Sequence, residues 1–329
     1  VTVHGCDTVC NPQLRAKRLR ECRGKLCVNR NGLLPKSRVF SIVPDFTQEH
    51  NLGVYNNCVD TVERAFTERF FLCKSKTGFR PALPVSPSRF RNDHCFSEFR
   101  AWTLGFMPHL PVLDYDQTVA LFPAQKRKVY EEAYASLSTE GAVRAKDAEL
   151  SSFVKFEKQD VGKPPRVINP RSARFNLEVA RYLKHAEHHY FKSMHKAFGV
   201  LWGGYDPSNC TVFKGLDADA AASELRIKWD CFDDPVAVGC DATKFDMHVS
   251  IPALRYEHSF YNDYWKRRFL RWLLRQQLYN KGKARCRDGS VEFEMAGTRS
   301  SGDINTSLGN CIIMCAIVWA WSLKYHVRL

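Results

Sequence analysis

The apolar pattern of this chain predicts a mixed α/β (α+β) architecture, on three observations. Apolar residues recur at helical spacing in several long stretches, while short apolar or alternating runs bounded by turn residues read as strands. Of 329 residues, 44% are hydrophobic and 26% charged, an ordinary globular balance with enough apolar mass for two or more subdomains. No internal repeat or low-complexity tract interrupts the succession of elements.

Taken in order, residues 1–40 are basic and rich in turn formers (Asn11-Pro12, Asn31-Gly32) and are expected on the surface. Val59 to Leu72 has helical spacing, with Val59, Val62, Ala65, Phe66 and Phe70 on one side and Glu63, Arg64 and Arg69 opposite. Pro81, Pro84 and Pro87 mark an extended connector, and Pro108-His109-Leu110-Pro111 a second. Helices are expected over 124–137, 175–194, 217–228 and much of 251–278. Phe153-Val154-Lys155-Phe156 reads as a short strand, and Val236 to Cys240 as a buried strand that delivers Asp241 at its end. Asp288-Gly289 between 283–287 and the alternating 291–295 is a hairpin signal. A Gly/Ser loop over 297–302 then leads into an apolar helix from about Ile304 toward His326.

The formal charge is +14, and it is concentrated. Residues 1–40 hold nine Lys/Arg against two acids, 155–196 ten against four, and 266–287 nine against none. A solvated helix face accounts for any one block, but three together point to a polyanionic partner. Thirteen cysteines scattered among apolar residues suit free thiols in a reducing compartment. The loose spacing of His4, Cys6, Cys10, Cys22 and Cys27 weighs against a zinc site. The longest apolar run, Cys311 to Leu323, suits a buried helix better than an intrinsic membrane span.

Three constellations carry chemistry. Asp241 and Asp246 stand five residues apart, the first at the end of an expected strand, where a carboxylate suits a magnesium ion. Such acid pairs also arise by chance, so context must support this one. In Arg299-Ser-Ser-Gly-Asp-Ile-Asn-Thr-Ser-Leu-Gly-Asn310, Ser301 and Gly302 form a pliable loop before a helix, and Asn310 lies one turn beyond Thr306. Thr306, Asn310 and Asp246 could converge on a ribose 2′-hydroxyl, the group that tells RNA from DNA. An N-capped helix with a glycine-rich entry is the plain alternative. Lys155, Lys158, Lys163, Arg166 and Arg171 surround the stiff Pro164-Pro165 turn and suit a triphosphate, or more generally an RNA backbone. Farther on, Arg267, Arg271 and Arg275 fall on one helical stripe fit for RNA phosphates, with Phe269, Leu270, Leu273 and Leu274 expected inward.

These motifs resemble those of the tombusvirus-like (carmovirus and umbravirus type) RNA-dependent RNA polymerases. Lys155 to Lys184 is similar to motif F and its following helix, Asp241-Ala-Thr-Lys-Phe-Asp246 to motif A, and Ser301-Gly-Asp-Ile-Asn-Thr-Ser-Leu-Gly-Asn310 to motif B. Fainter similarity reaches back through Asn56-Asn57-Cys58-Val59-Asp60. The resemblance implies a right-hand polymerase fold, with Asp241 as metal ligand and Asp246 as ribose reader. It further implies Ser301, Gly302, Thr306 and Asn310 at the template and nucleotide site, and Lys155, Lys163 and Arg166 on the triphosphate.

The family's Gly-Asp-Asp, source of the second metal-binding carboxylate, does not occur in the 329 residues. The expectation is therefore fingers plus an incomplete palm with the thumb absent, inactive alone, with Gly-Asp-Asp soon after residue 329 in the reading frame. The expected units are 1–110 (basic segment and fingers extension), 111–232 (fingers with motif F) and 233–329 (incomplete palm, with a fingers insertion near 260–295). Expected cofactors are two Mg2+ (or Mn2+) ions, and expected partners are template and nascent RNA, NTPs and viral or host membrane-anchoring replication proteins in the host cytoplasm. Two rivals stay open: a non-catalytic RNA-binding protein, and a reverse transcriptase or DNA polymerase of the palm class. Aspartate at 246 argues against the latter, where a bulky residue would exclude the 2′-hydroxyl.

Overall fold

The computed structural model describes residues 2–22, 24–41, 52–82, 93–201, 203, 208 and 210–327. The chain begins β1 (Thr2–His4), α1 (Pro12–Glu21), β2 (Gly24–Arg30), β3 (Val39–Ser41), β4 (Leu52–Gly53) and α2 (Val59–Phe66). A π turn at Thr67–Phe71 leads into the hairpin β5 (Leu72–Ser75) and β6 (Gly78–Pro81). Helices α3 (His94–Gly105), α4 (Tyr115–Ala120) and α5 (Ala124–Glu140) precede β7 (Leu150–Val154), β8 (Gln159–Asp160) and β9 (Val167–Ile168). Then come α6 (Ala173–Leu183), α7 (Glu187–Leu201), α8 (Ala218–Trp229), α9 (Phe245–His248), α10 (Ile251–Trp265) and α11 (Arg268–Gln276). The hairpin β10 (Tyr279–Cys286) and β11 (Gly289–Ala296) and the long α12 (Thr306–Tyr325) complete it.

The main sheet has the order β2-β11-β10-β7-β9, with only the β10/β7 pair parallel, so it takes strands from all three of the expected units. Its register follows from the alternation in β11: Val291, Phe293 and Met295 are buried while Glu292 and Glu294 face water. Val59, Val62 and Phe66 of α2 cover that apolar face, with the Phe66 ring centroid 4.3 Å from that of Phe293. The Asp288 carboxylate in the hairpin turn accepts the Val59 amide at 3.1 Å, supplying a cap that Cys58 does not provide. A second, helical core joins α3, α6, α7, α10, α11 and α12 around Phe99, Phe198, Phe260 and Trp319. By length and composition α12 is apolar enough to cross a membrane, yet it packs against α3, α7 and α10 with Trp319 buried.

Several expectations need correction. The first forty residues are more than a surface segment: β2 is an edge of the main sheet, and buried Arg18 pairs with buried Glu63 at 3.3 Å. Helical spacing put Glu63 on the outer side of α2 because the basic segment that covers it lies some 45 residues earlier in the chain. The 175–194 helix breaks into α6 and α7, and the 251–278 helix into α10 and α11 at Lys266 (φ 51°). Strand β7 ends at Val154, so Lys155 and Phe156 lie beyond it. Phe269 is 37% exposed and stacks on Trp272, its centroid 5.9 Å away, instead of turning inward. Pro84 and Pro87 of the expected first connector fall outside the described residues.

The largest correction concerns 236–240, which form no strand. Val236 and Val238 are 77% and 78% exposed. A β conformation is held by a neighbour's hydrogen bonds, and among the described residues no strand pairs with this run. Asp241 therefore follows an open, irregular segment.

Candidate functional site

Two loops far apart in sequence are packed backbone to backbone. Gly302 lies so close to Asn169-Pro170 that a Cβ there would stand 2.4 Å from Pro170 Cα, so only glycine fits. Beside it, the Ser300 hydroxyl donates to the Asn169 carbonyl. Arg171 Nε donates to Asp303 Oδ1 at 2.6 Å, with both side chains almost fully buried. Arg171 also reaches the Ala148 carbonyl (2.5 Å) and Asn280 Oδ1 (2.6 Å). Its donors are thus spent inside the protein. Arg171, expected among the nucleotide-binding cations, instead holds the Ser301-Gly302 loop onto the proline-rich loop.

That proline-rich loop is fixed from the other side by Arg69, which donates to the carbonyls of Pro164 (2.7 Å) and Pro165 (2.6 Å). Between the loop and α9 opens a cavity of about 320 Å³. Arg69, Lys155, Arg166 and Lys244 supply cations to its wall, with Asp246 and Ser301 also lining it. Glu157 lies beside both Lys155 (2.5 Å) and Arg166 (3.5 Å) and keeps the two near one another. Lys244 takes a left-handed backbone conformation (φ 53°) and gives its ammonium to the Glu68 carbonyl. Burial, and then the nearby Arg69, pull its pKa below the ordinary lysine value. Crowded cations of this kind favour an anion among them. Lys158 and Lys163 are exposed and are not part of that lining; Lys163 lies 3.9 Å from Asp160.

Asp246 meets α12 across the cavity's edge. Asn310 Nδ2 donates to Asp246 Oδ1 at 2.9 Å, and the Arg299 amide donates to the Asp246 carbonyl at 2.8 Å. Thr306 is one turn earlier, but its hydroxyl lies 2.8 Å from the carbonyls of both Ser300 and Asp303 and braces the loop. So Asp246 and Asn310 come together, Asp246 and Ser301 line the cavity, and Thr306 and Gly302 shape the loop that presents Ser301.

Behind Asn310 is a buried polar network. Arg299 Nε donates to Asn310 Oδ1 at 3.1 Å, and its Nη2 donates to Glu257. Glu257 Oε1 accepts from Tyr261 (2.9 Å) and Asn305 (2.7 Å), and Asn305 continues to Gln277 (2.9 Å) and His258. Burial works against the Arg299 charge, yet the bonded Glu257 carboxylate holds its pKa above the ordinary value. Glu257 was not singled out from the sequence, and Arg299 stood at the head of the 299–310 stretch with no role given to it. Arg69 and Lys244 were missed as well, although Lys244 lies within the Asp241–Asp246 motif.

Asp241 is exposed, and among the described residues no hydrogen bond or ion pair engages its carboxylate. It offers the hard oxygen donors that magnesium prefers. One oxygen of Asp246 is already committed to Asn310, and among the described residues no three His, Cys, Asp or Glu side chains form a metal-like cluster. The donor set has the right chemistry and is incomplete. Arg267, at the N-cap of α11, and Arg271 and Arg275 within it lie exposed, with Leu270, Leu273 and Leu274 buried. A larger opening of about 500 Å³ between α4 and α5 includes none of the motif residues.

Comparison with known proteins matches residues 26–329 to the viral RNA-dependent RNA polymerase family. The chain is 41% identical over 283 residues to the RNA-directed RNA polymerase of tobacco necrosis virus (strain A), covering 84% of this chain and 37% of that protein. It is 37% identical over 345 aligned positions to the enzyme of oat chlorotic stunt virus (isolate United Kingdom), covering 100% of this chain and 43% of that protein. It is also 37% identical over 294 residues to that of tomato bushy stunt virus (strain Cherry), covering 86% and 34%. The chain thus spans about two fifths of the length of curated relatives such as these.

Proposed function

This chain belongs to the viral RNA-dependent RNA polymerases, and from that premise we propose that the whole protein copies viral RNA by template-directed nucleotidyl transfer from NTPs. The observation that carries the reading is the single cavity where Lys155 and Arg166 share a wall with Asp246, itself bonded to Asn310. A nucleoside triphosphate matches that arrangement. Lys155 and Arg166, joined by Arg69 and Lys244, take the polyphosphate; arginine does so with a planar fork and lysine as a point charge. Asp246 and Asn310 take the ribose, where a carboxylate oxygen and an amide complement the 2′-hydroxyl. Ser301 and the Gly302 turn face the templating strand. Lys158 and Lys163 serve the cavity's outer rim, and Arg267, Arg271 and Arg275 run along RNA phosphates.

Asp241 would hold one of two Mg2+ (or Mn2+) ions, which when bound neutralise charge on the attacking and leaving oxygens and make the 3′-hydroxyl a better nucleophile. We place the second carboxylate outside these 329 residues, which contain no Gly-Asp-Asp. On this reading 1–110 and 111–232 build the fingers and 233–329 an incomplete palm without a thumb. These residues alone bind ligands without joining them. Recruitment to membranes in the host cytoplasm falls to partner replication proteins.

The test is Asp241→Asn in the whole polymerase. RNA synthesis should fall by roughly a thousandfold, since a major electrostatic contribution to the transition state is lost, while RNA affinity stays unchanged. Synthesis at the unsubstituted rate would instead favour a protein whose RNA binding is its function.

A further inference from the structure

Asn310 is held between two groups of opposite and fixed hydrogen-bonding character. Arg299 can only donate, and it meets the amide oxygen at 3.1 Å; the Asp246 carboxylate can only accept, and it meets the amide nitrogen at 2.9 Å. Rotating the amide by half a turn would set NH2 against a guanidinium and oxygen against a carboxylate, losing both bonds at once. Arg299 and Asp246 therefore fix the amide from its two ends, and Arg299 holds the end that faces away from Asp246.

Arg299 is itself fixed by Glu257 from α10; both side chains are fully buried, and Glu257 is further anchored by Tyr261 and Asn305. The sequence makes room for this pair at one place. A Cβ on Gly309 would stand 2.2 Å from Glu257 Oε1 and 2.5 Å from Arg299 Nη2, so the glycine just before Asn310 is where the ion pair passes α12.

We infer that the buried Glu257–Arg299 ion pair is the positioning device for sugar selection, orienting Asn310 so that it and Asp246 together accept a ribonucleotide in preference to its 2′-deoxy counterpart. The inference rests on the nucleotide site proposed above. Neither Glu257 nor Arg299 touches the substrate; they act through Asn310. Lysine at 299 keeps the charge but lacks the fork that reaches Glu257 and Asn310 together.

The experiment measures kcat/KM for each NTP and its 2′-deoxy analogue in the whole polymerase, giving a selectivity ratio. Arg299→Lys should lower that ratio by about tenfold, the worth of one hydrogen bond to a charged group, with the loss on the ribonucleotide side. Gly309→Ala displaces the pair without removing a charge, and should give the same loss if the lysine variant does not fold. In an Asn310→Ala background, Arg299→Lys should lower the ratio no further, because the pair acts through that amide. A purely structural role would lower both substrates equally and add its effect in either background; that outcome overturns the inference. If Asn310→Ala itself leaves the ratio unchanged, the ribose site falls, and the ion pair's role with it. If Asn310→Ala lowers the ratio while folded Arg299→Lys and Gly309→Ala variants do not, only the inference about the pair falls.

Discussion

The junction between the Pro164-to-Arg171 loop and the Ser301-Gly302 loop, and the segment from Val236 to Asp241, carry the two halves of one proposed reaction and are built in opposite ways. At the junction a glycine admits backbone contact, one buried ion pair crosses between the loops, and a second lies behind Asn310. Along 236–241 two valines stand in water and a carboxylate lacks any partner among the described residues. The groups assigned to nucleotide selection are pre-ordered within these residues, where low local dielectric strengthens each bond. The group assigned to metal binding is held by nothing comparable. On the proposed function, holding substrate and holding metal are separable demands, and each is expected to be disturbed without the other.

The largest disturbance is expected at Arg171. Arg171→Ala leaves the buried Asp303 carboxylate without its cation and should destabilise the fold by about 3–5 kcal/mol, read by chemical denaturation. A stable variant with only a weakened KM for NTP would return Arg171 to the phosphate site and undo the contrast between the regions.

Next is the acid limb of stability, which reports how dry the network behind Asn310 is. Burial pushes the His258 pKa down to about 4 from 6.5, so the folded protein keeps the ring neutral. As pH falls below 6.5 the unfolded chain takes up the proton first. The stability tied to this group is complete above 6.5 and drains away as pH drops toward 4, by about 3 kcal/mol in all. His258→Gln should flatten that part of the stability-against-pH curve; an unchanged slope would mean water reaches the ring.

The smallest effect belongs to the open segment. Val238→Ser should change the stability of the 329-residue chain by no more than about 0.5 kcal/mol, because an exposed side chain has little packing to lose. A loss of about 2 kcal/mol would show that the valine is buried after all.

What was legible in the sequence follows the same division. The hairpin at Asp288-Gly289 was readable because its turn chemistry and its alternating strand are both local. The Asp246–Asn310 meeting was anticipated from motif spacing and the family resemblance. Non-local facts were hidden. A basic residue in a proline-rich stretch looks the same whether it faces a phosphate or an aspartate 132 positions later, so Arg171 was misplaced. Glu257 sat unmarked on a long helix, since its importance lies in Arg299 and Gly309, 42 and more residues on. Val236 to Cys240 has the composition of a strand, but composition cannot supply a neighbour to pair with.

On the proposed function, one cavity holds both ends of the incoming nucleotide, a placement open to direct test. It is met most directly by the structure of the whole polymerase with primer–template, Mg2+ and a non-hydrolysable NTP. Triphosphate oxygens are expected within hydrogen-bonding distance of Lys155 and Arg166, and the 2′-hydroxyl on Asp246 and Asn310. A triphosphate seated on Lys158 and Lys163 instead, with the sugar out of reach of Asp246, would contradict it.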